Sequence, residues 1–99
     1  MKINLKVKIA KSLYDKMFGM MLAGNKDGLI LKTRFGIHTF FMKNPIDVLI
    51  LDNQKKVRLI KKIMPNRIFI WNPKFDTVIE LPEGSIKKLN IEVGDFLNF

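Results

Sequence analysis

The sequence predicts a mainly β fold: a compact, barrel-like sheet of about seven short strands with one short helix and one helical turn, in a single domain of residues 1–99. Three observations favour this fold. The N-terminus alternates between apolar and polar residues, short apolar runs are separated by turn residues, and no strand–helix–strand repeat is present. A chain of 99 residues with 47% hydrophobic side chains is large enough for one core.

The first third of the chain contains the alternating strand and the predicted helix. Apolar residues occupy every second position near the N-terminus, as in a half-buried strand whose other face carries lysines: Ile3, Leu5, Val7 and Ile9. Residues 12–15 have the form of a capping box, so a short helix is expected from there to about residues 22–24. Turn residues follow, and residues 29–31 are predicted to form a short strand.

The middle of the chain predicts a buried hairpin. Residues 46–51 are apolar apart from Asp47, which indicates a central strand that is covered on both faces. Pro45 disfavours helical backbone at Asn44, so a bend should lead into this strand. Residues 55–64 are expected to return as its antiparallel partner. A β-bulge near residues 60–61 would account for a shift in their apolar pattern.

The last third predicts two more strands and the helical turn. Residues 77–81 form a strand pattern that contains Glu80, and residues 96–99 form the last strand. Ser85 is expected to cap a helical turn that ends at Leu89. Trp71 is expected to be a core aromatic whose indole N–H is hydrogen-bonded, with stacking on a base or a sugar as the alternative.

Composition excludes several kinds of site. The chain has no cysteine, and its single histidine, His38, cannot form a multi-histidine metal site. No phosphate-binding glycine loop is present, so neither a metal nor a cofactor is expected. No apolar run approaches the roughly 20 residues that cross a bilayer, and the N-terminus lacks the apolar core of a signal peptide. A cytoplasmic protein without a membrane partner is therefore expected.

The charge is strongly positive. Eighteen Lys and Arg residues against nine Asp and Glu residues give a net charge of +9 and a pI near 10.0, as in many nucleic-acid binders. Lysines dominate, however, whereas recognition sites favour the bidentate guanidinium of arginine. A solvated basic face is the simpler interpretation. A basic single-stranded nucleic-acid binder is kept as an alternative function, with four candidate contacts: Arg58, Lys61, Lys62 and Arg67.

Polar residues that interrupt apolar segments indicate one candidate ligand site: Lys43, Asn44, Asp47 and Glu80. A carboxylate inside an apolar strand needs a cation or hydrogen-bond donors. We therefore expect Asp47 to be buried and bonded to Lys43, Asn44 or local backbone N–H groups. We also expect Glu80 to approach the same corner.

Three interpretations of this cluster are open. It can be a structural ion pair that orders the bend and binds nothing. It can form a polar pocket for a small ligand. Asp47 and Glu80 can also serve as a general acid and base in an enzyme. A small binding or accessory module without catalysis, with an unknown small ligand or protein partner, is the function that we expect.

Three sequence blocks carry a family resemblance. The first is Gly19-Met20-Met21. The second is Phe41-Met42-Lys43-Asn44, followed by Asp47 and Leu51-Asp52. The third runs from Val78 to Gly84 through Glu80-Leu81-Pro82 and continues in Leu89-Asn90-Ile91 and Gly94-Asp95. In their order and spacing, the blocks resemble the family called domain of unknown function 192, or uncharacterised protein family 0127.

The resemblance extends from about residue 17 to residue 99. It implies a compact, mostly β domain and no established activity. Between Asn44 and Asp47 the chain is shorter than the common bacterial form, in which it resembles archaeal members. Phe18 stands where many relatives have an arginine before the glycine, so any ligand role of that arginine is not carried over to this chain.

Overall fold

A five-stranded sheet lies at the centre of the domain. The computed structural model describes residues 2–5, 7–9, 28–34, 36–40 and 42–99, and the helix predicted from residue 12 lies outside them. The described helix is α1 (Ser85–Leu89). The strands in chain order are β1 (Lys2–Asn4), β2 (Val7–Ile9), β3 (Gly28–Lys32), β4 (Ile37–His38), β5 (Ile46–Leu51), β6 (Val57–Ile63), β7 (Ile68–Phe69), β8 (Thr77–Pro82) and β9 (Phe96–Asn98).

The strands are distributed over three sheets in the described part of the chain. The central sheet has the order β2-β3-β8-β5-β6, in which β2 is parallel to β3 and the other neighbours are antiparallel. Strands β1 and β9 form a parallel pair, and β4 and β7 form an antiparallel pair. The mainly β fold class is confirmed. No helix among the described residues is long and apolar enough to cross a membrane.

Strand β5 is buried along its whole length, as its apolar run predicted. Its odd-numbered residues share a first face of the central sheet, which packs with Ile3 of β1 and Leu97 of β9. Its even-numbered residues share the second face, which packs with Ile37 of β4 and Phe69 of β7. Each face of the central sheet is thus covered by one of the two-stranded sheets, and the core forms two apolar layers with β5 and β8 between them.

The hairpin of β5 and β6 contains a bulge, but not where the sequence predicted it. Ile50 pairs with Leu59 and Leu51 pairs with Val57, so Arg58 is the extra residue and the prediction at residues 60–61 is wrong. The turn that precedes β6 explains the position. Asp52 Oδ1 accepts hydrogen bonds from the N–H groups of Gln54 and Lys56, so the register departs from regular pairing next to this turn.

Helix α1 begins differently from the prediction. Its N-cap is Gly84, with φ of 89°, and no side chain at this position bonds the helix N-terminus. The Ser85 hydroxyl instead donates to the carbonyl oxygen of Pro82 at 2.6 Å, so the assignment of Ser85 as N-cap is wrong. The helix ends at Leu89, and its C-cap residue Asn90 adopts the left-handed conformation common at helix C-termini. The N–H groups of the first turn therefore need a partner from elsewhere in the fold.

The pair of β4 and β7 is held to the second core layer by aromatic side chains. Ile37 lies opposite Phe69, and both contact the layer. Trp71 packs beside Phe69 and donates its indole N–H to the carbonyl oxygen of Phe75 at 2.7 Å. Trp71 is therefore a core aromatic with a bonded N–H, as predicted. Next to β4, the hydroxyl of the buried Thr39 donates to the carbonyl oxygen of Met64 at 2.7 Å.

Gly36 allows β4 and β7 to approach closely, which gives a first prediction. Gly36 has φ of +109°, and a Cβ there would lie 2.8 Å from Ile70 Cγ2 and from the Phe69 carbonyl oxygen. Gly94 has a similar φ of +101° but open space around it. Alanine at either position carries the strain of a positive φ, whereas only the alanine at position 36 also meets close neighbours. We therefore expect Gly36→Ala to cost about 2 kcal/mol more than Gly94→Ala. Urea unfolding of the two variants measures this difference, and equal losses would contradict the close approach.

Candidate functional site

Asp47 is bound to the start of helix α1. Its side chain is 5% exposed, and the backbone N–H of Ile86 donates to Asp47 Oδ2 at 2.9 Å. Ile86 is the second residue of the helix, where an N–H lacks a partner within the helix and a negative charge is favourable. The predicted burial of Asp47 is confirmed. Its described partner, however, is a backbone N–H 39 residues away and not Lys43, Asn44 or a local N–H.

The cation opposite Asp47 is Lys62. These two residues pair across β5 and β6, and Lys62 Nζ lies 2.8 Å from Glu83 Oε2 in the turn before α1. The hydrogen bond to Glu83 and its charge raise the pKa of Lys62, and the charge of Asp47 adds to this. Asp47 and Lys62 thus join β5 and β6 to the segment that starts the helix. This arrangement gives Asp47 a structural role in the corner.

Glu80 lies on the other side of the sheet from Asp47. Asp47 pairs with Leu81, whereas Glu80 pairs with Val48 on β5 and with Leu29 on β3. Paired residues share a face and successive residues alternate, so Asp47 belongs to the first face and Glu80 to the second. The prediction that Glu80 approaches Asp47 is wrong. The sheet therefore separates the two carboxyl groups, which argues against their acting together as a general acid and base.

The Glu80 carboxyl group is buried without a described partner. Its side chain is 3% exposed, and among the described residues no hydrogen bond or ion pair reaches it. Its cross-strand neighbours, Leu29 and Val48, are buried apolar residues of the second core layer. Burial raises the pKa of Glu80 from 4.5 to about 7. Near neutral pH, this carboxyl group can therefore either donate or accept a hydrogen bond.

Lys43 and Asn44 are exposed in the bend that enters β5. The first residue of β5, Ile46, pairs with Pro82, which follows Glu80 by two positions on β8. The bend therefore lies at the end of the sheet that is nearest to Glu80. In the described part of the chain, no hydrogen bond or ion pair joins Lys43 or Asn44 to Asp47 or Glu80.

The four residues of the nucleic-acid alternative do not share one face. Lys61 and Lys62 are successive residues of β6 and point to opposite sides, and Lys62 is bonded to Glu83. Arg58 lies 3.5 Å from Asp52 Oδ2 and stacks over the ring of Phe75. The Arg67 guanidinium lies near the carbonyl oxygens of the two residues before it.

Among the described residues, no group of three His, Asp or Glu side chains could hold a metal ion.

Two features of this region were not predicted from the sequence. The first is the bond between Asp47 and the start of α1. Gly84 could have indicated it, because a glycine N-cap has no side chain to bond the helix N–H groups. Ile68 and Ile70 belong to the apolar run of residues 68–71, yet each is 70% exposed. Their alternation with Phe69 and Trp71 was the signal, since a strand with a single covered face shows this pattern.

Removal of the Asp47 carboxylate should weaken the corner. We expect Asp47→Ala to lower the free energy of unfolding by about 2 kcal/mol, because the Ile86 N–H then lacks its acceptor. Asp47→Asn keeps an acceptor oxygen and should lose less. Urea unfolding measures the loss, and amide exchange at Ile86 locates it. Glu92→Ala, which removes an exposed carboxylate, is the control and should change the free energy of unfolding by less than about 0.5 kcal/mol. Equal losses in the Asp47→Ala and Glu92→Ala variants would refute the capping role.

Glu80 should make stability fall as the pH rises. The folded protein keeps the Glu80 proton up to about pH 7, whereas the unfolded chain releases it near pH 4.5. The contribution of the protonated Glu80 to the free energy of unfolding is therefore complete below about pH 4.5, and it is lost as the pH rises through about 7. Relative to the wild type, Glu80→Gln should gain about 3 kcal/mol between pH 4 and pH 8 in urea unfolding. The exposed Glu92→Gln is the control, and a Glu80→Gln difference that stays constant with pH would contradict the burial cost.

Sequence comparisons agree with the fold. The family model of DUF192, described as Uncharacterized ACR, matches residues 1–99. A UPF0127 protein of Pyrococcus abyssi is 41% identical over 96 residues, which cover 91% of this chain and 82% of that protein. UPF0127 proteins of Thermococcus sibiricus and Pyrococcus furiosus are 34% and 30% identical. Their matches cover 95% and 99% of this chain, and 66% and 90% of their own lengths.

A solved structure has the same fold. The crystal structure of a protein of unknown function from Novosphingobium aromaticivorans DSM 12444 superposes with a TM-score of 0.68 over 89% of this chain and 70% of that chain. The two sequences are 16% identical, so the likeness shows the fold alone. The Pyrococcus and Thermococcus relatives confirm the archaeal-like character that the resemblance implied. The chain therefore belongs to the DUF192 family, whose relatives are also called UPF0127 proteins.

Proposed function

We propose that this domain is a non-catalytic binding module that receives a small ligand at Glu80. Lys43 and Asn44 would lie at the solvent side of the site, and Asp47 would fix the corner beside it. The observation that carries the proposal is the Glu80 carboxyl group, which is 3% exposed and has no described partner. Of the four polar residues predicted from the sequence, Glu80 on the second face of the sheet would thus be the one that binds the ligand directly.

The environment of Glu80 supports a role in binding. A strand that served only the core would be more stable with an apolar residue between Leu29 and Val48. Nearly all buried polar groups in folded proteins have a hydrogen-bond partner, so one without a described partner needs an explanation. A ligand that donates to the carboxylate would supply that partner. Ionisable groups with strongly perturbed pKa values are also concentrated at functional sites.

The chemistry of the site favours an amine with a short apolar body. A carboxylate attracts a cation more strongly in surroundings of low dielectric constant than in water. The apolar side chains of Leu29 and Val48 suit an alkyl group and offer it no hydrogen bond. An ammonium ligand requires the ionised form of Glu80, so its affinity should increase as the pH rises through about 7. A ligand that accepts a hydrogen bond would show the opposite pH dependence.

The positions of the remaining candidates support binding over catalysis. Asp47 accepts a hydrogen bond from the Ile86 N–H and lies on the first face of the sheet. This position argues against acid–base chemistry in which Asp47 and Glu80 act together. Lys43 and Asn44 are exposed at the end of the sheet nearest to Glu80, and in this proposal they would contact the polar part of a bound molecule. Their distance from Glu80 along the strands favours contacts at the rim over contacts with the buried amine.

Titration with n-butylammonium chloride tests the proposal. In amide NMR spectra at pH 8, we expect saturable shifts concentrated at Leu29, Val48 and Leu81, which flank Glu80. Glu80→Gln removes the charge at nearly constant shape and should weaken binding at least about tenfold. Since Glu80→Gln is expected to be the more stable protein at this pH, unfolding would not explain the loss.

Two controls distinguish specific binding from weak association. Glu92→Gln, at an exposed site, should bind like the wild type, and n-butanol should produce no shifts at Glu80 because it carries no charge. Equal binding by wild type and Glu80→Gln would refute the proposed site. So would equal shifts with n-butanol and n-butylammonium. Lys43→Ala should change the affinity for n-butylammonium little, since this probe has no group that reaches the rim.

A further inference from the structure

The outer side of the two-stranded β4–β7 sheet carries an exposed apolar surface. Phe69 faces the core, so Ile68 and Ile70 on either side of it point away, and both are 70% exposed. Ile68 pairs with His38, whose ring stacks on that of Phe40 with 5.0 Å between ring centroids. Together these side chains form what we call the outer strip: His38, Phe40, Ile68 and Ile70.

The outer strip has a fixed shape. Its two strands are hydrogen-bonded to each other, and the Thr39 hydroxyl joins their ends by accepting a hydrogen bond from the Arg67 N–H at 2.9 Å. Ile70 packs directly against Gly36, where a Cβ would lie 2.8 Å from Ile70 Cγ2. The missing side chain of Gly36 thus lets the two segments approach closely. A partner would therefore bind to a surface that needs little ordering, and this reduces the entropic cost of association.

Cations outnumber acids in the chain segments that form the outer strip. Four cations lie within four residues of strip positions in the sequence: Arg34, Lys43, Arg67 and Lys74. Asp76, six residues after Ile70, lies 3.4 Å from Arg34 and offsets its charge in part. An apolar surface on a protein of net charge +9 complements a partner that carries apolar side chains and carboxylates.

We infer that the outer strip, in which exposed Ile68 and Ile70 adjoin the stacked His38 and Phe40, docks an acidic protein segment with apolar side chains. A second copy of this chain would bring another net charge of +9 against the same cations, which opposes self-association. Single-stranded nucleic acid would require aromatic faces for stacking. The two most exposed side chains of the strip are aliphatic, so the strip suits a protein better than bases.

Fluorescence anisotropy with a labelled peptide of alternating glutamate and leucine tests this inference. The double variant Ile68→Ser/Ile70→Ser should lower the affinity about tenfold or more, since it removes two apolar contacts. Val93→Ser changes a side chain that is 61% exposed elsewhere on the surface, and it should bind like the wild type. Both sites are exposed, so thermal unfolding should show all three proteins folded.

Five outcomes would overturn the inference. The first is that the peptide fails to bind the wild type, and the second is that it binds the double variant equally well. The third is that a peptide of alternating lysine and leucine binds as tightly, because charge complementarity would then be absent. The fourth is that sedimentation shows a dimer that the double variant abolishes, and the fifth is that a labelled oligothymidine binds in an Ile68- and Ile70-dependent manner. In either case the occupant would differ from the one inferred.

Discussion

Burial of β5 and β8 on both faces is the constraint on which the rest of the structure depends. Every residue of β5 is buried, and side chains alternate between two apolar layers, each closed by a two-stranded sheet. A polar residue in such a strand cannot turn to solvent, and a change of register by one position would exchange the two layers. Each buried carboxylate must therefore find a partner within its own layer or remain without one.

Asp47 and Glu80 show the two results of this constraint. They occupy adjacent strands at similar burial, but one register position separates their faces. On the first face, the start of α1 supplies an N–H for Asp47 and completes a helix turn that has no side-chain cap of its own. On the second face, apolar neighbours surround Glu80, and its charged form is disfavoured. The same carboxyl chemistry is thus bonded to the helix at one position and without a described partner at the other.

The positive charge of the protein is organised locally. Several cations contact specific neighbours: Arg34 and Lys62 contact carboxylates, while Lys55 and Lys56 lie over the rings of Phe99 and Phe96. Such contacts hold the long side chains along the surface and contribute modestly to stability. The net charge of +9 then acts as a broad positive field, whereas the two exposed isoleucines of the outer strip form a local apolar surface.

The amino-acid pattern by itself determined the mainly β class, the central position of residues 46–51, the burial of Asp47, and the core position of Trp71, because each depends on local periodicity or polarity. Tertiary structure decided the rest. The bulge at Arg58 follows from the Asp52 turn, and the cap of α1 comes from a strand 39 residues away. The separation of Glu80 from Asp47 depends on the register between β5 and β8. Register is set by long-range pairing and packing of whole strands, so no single segment of the sequence contains it.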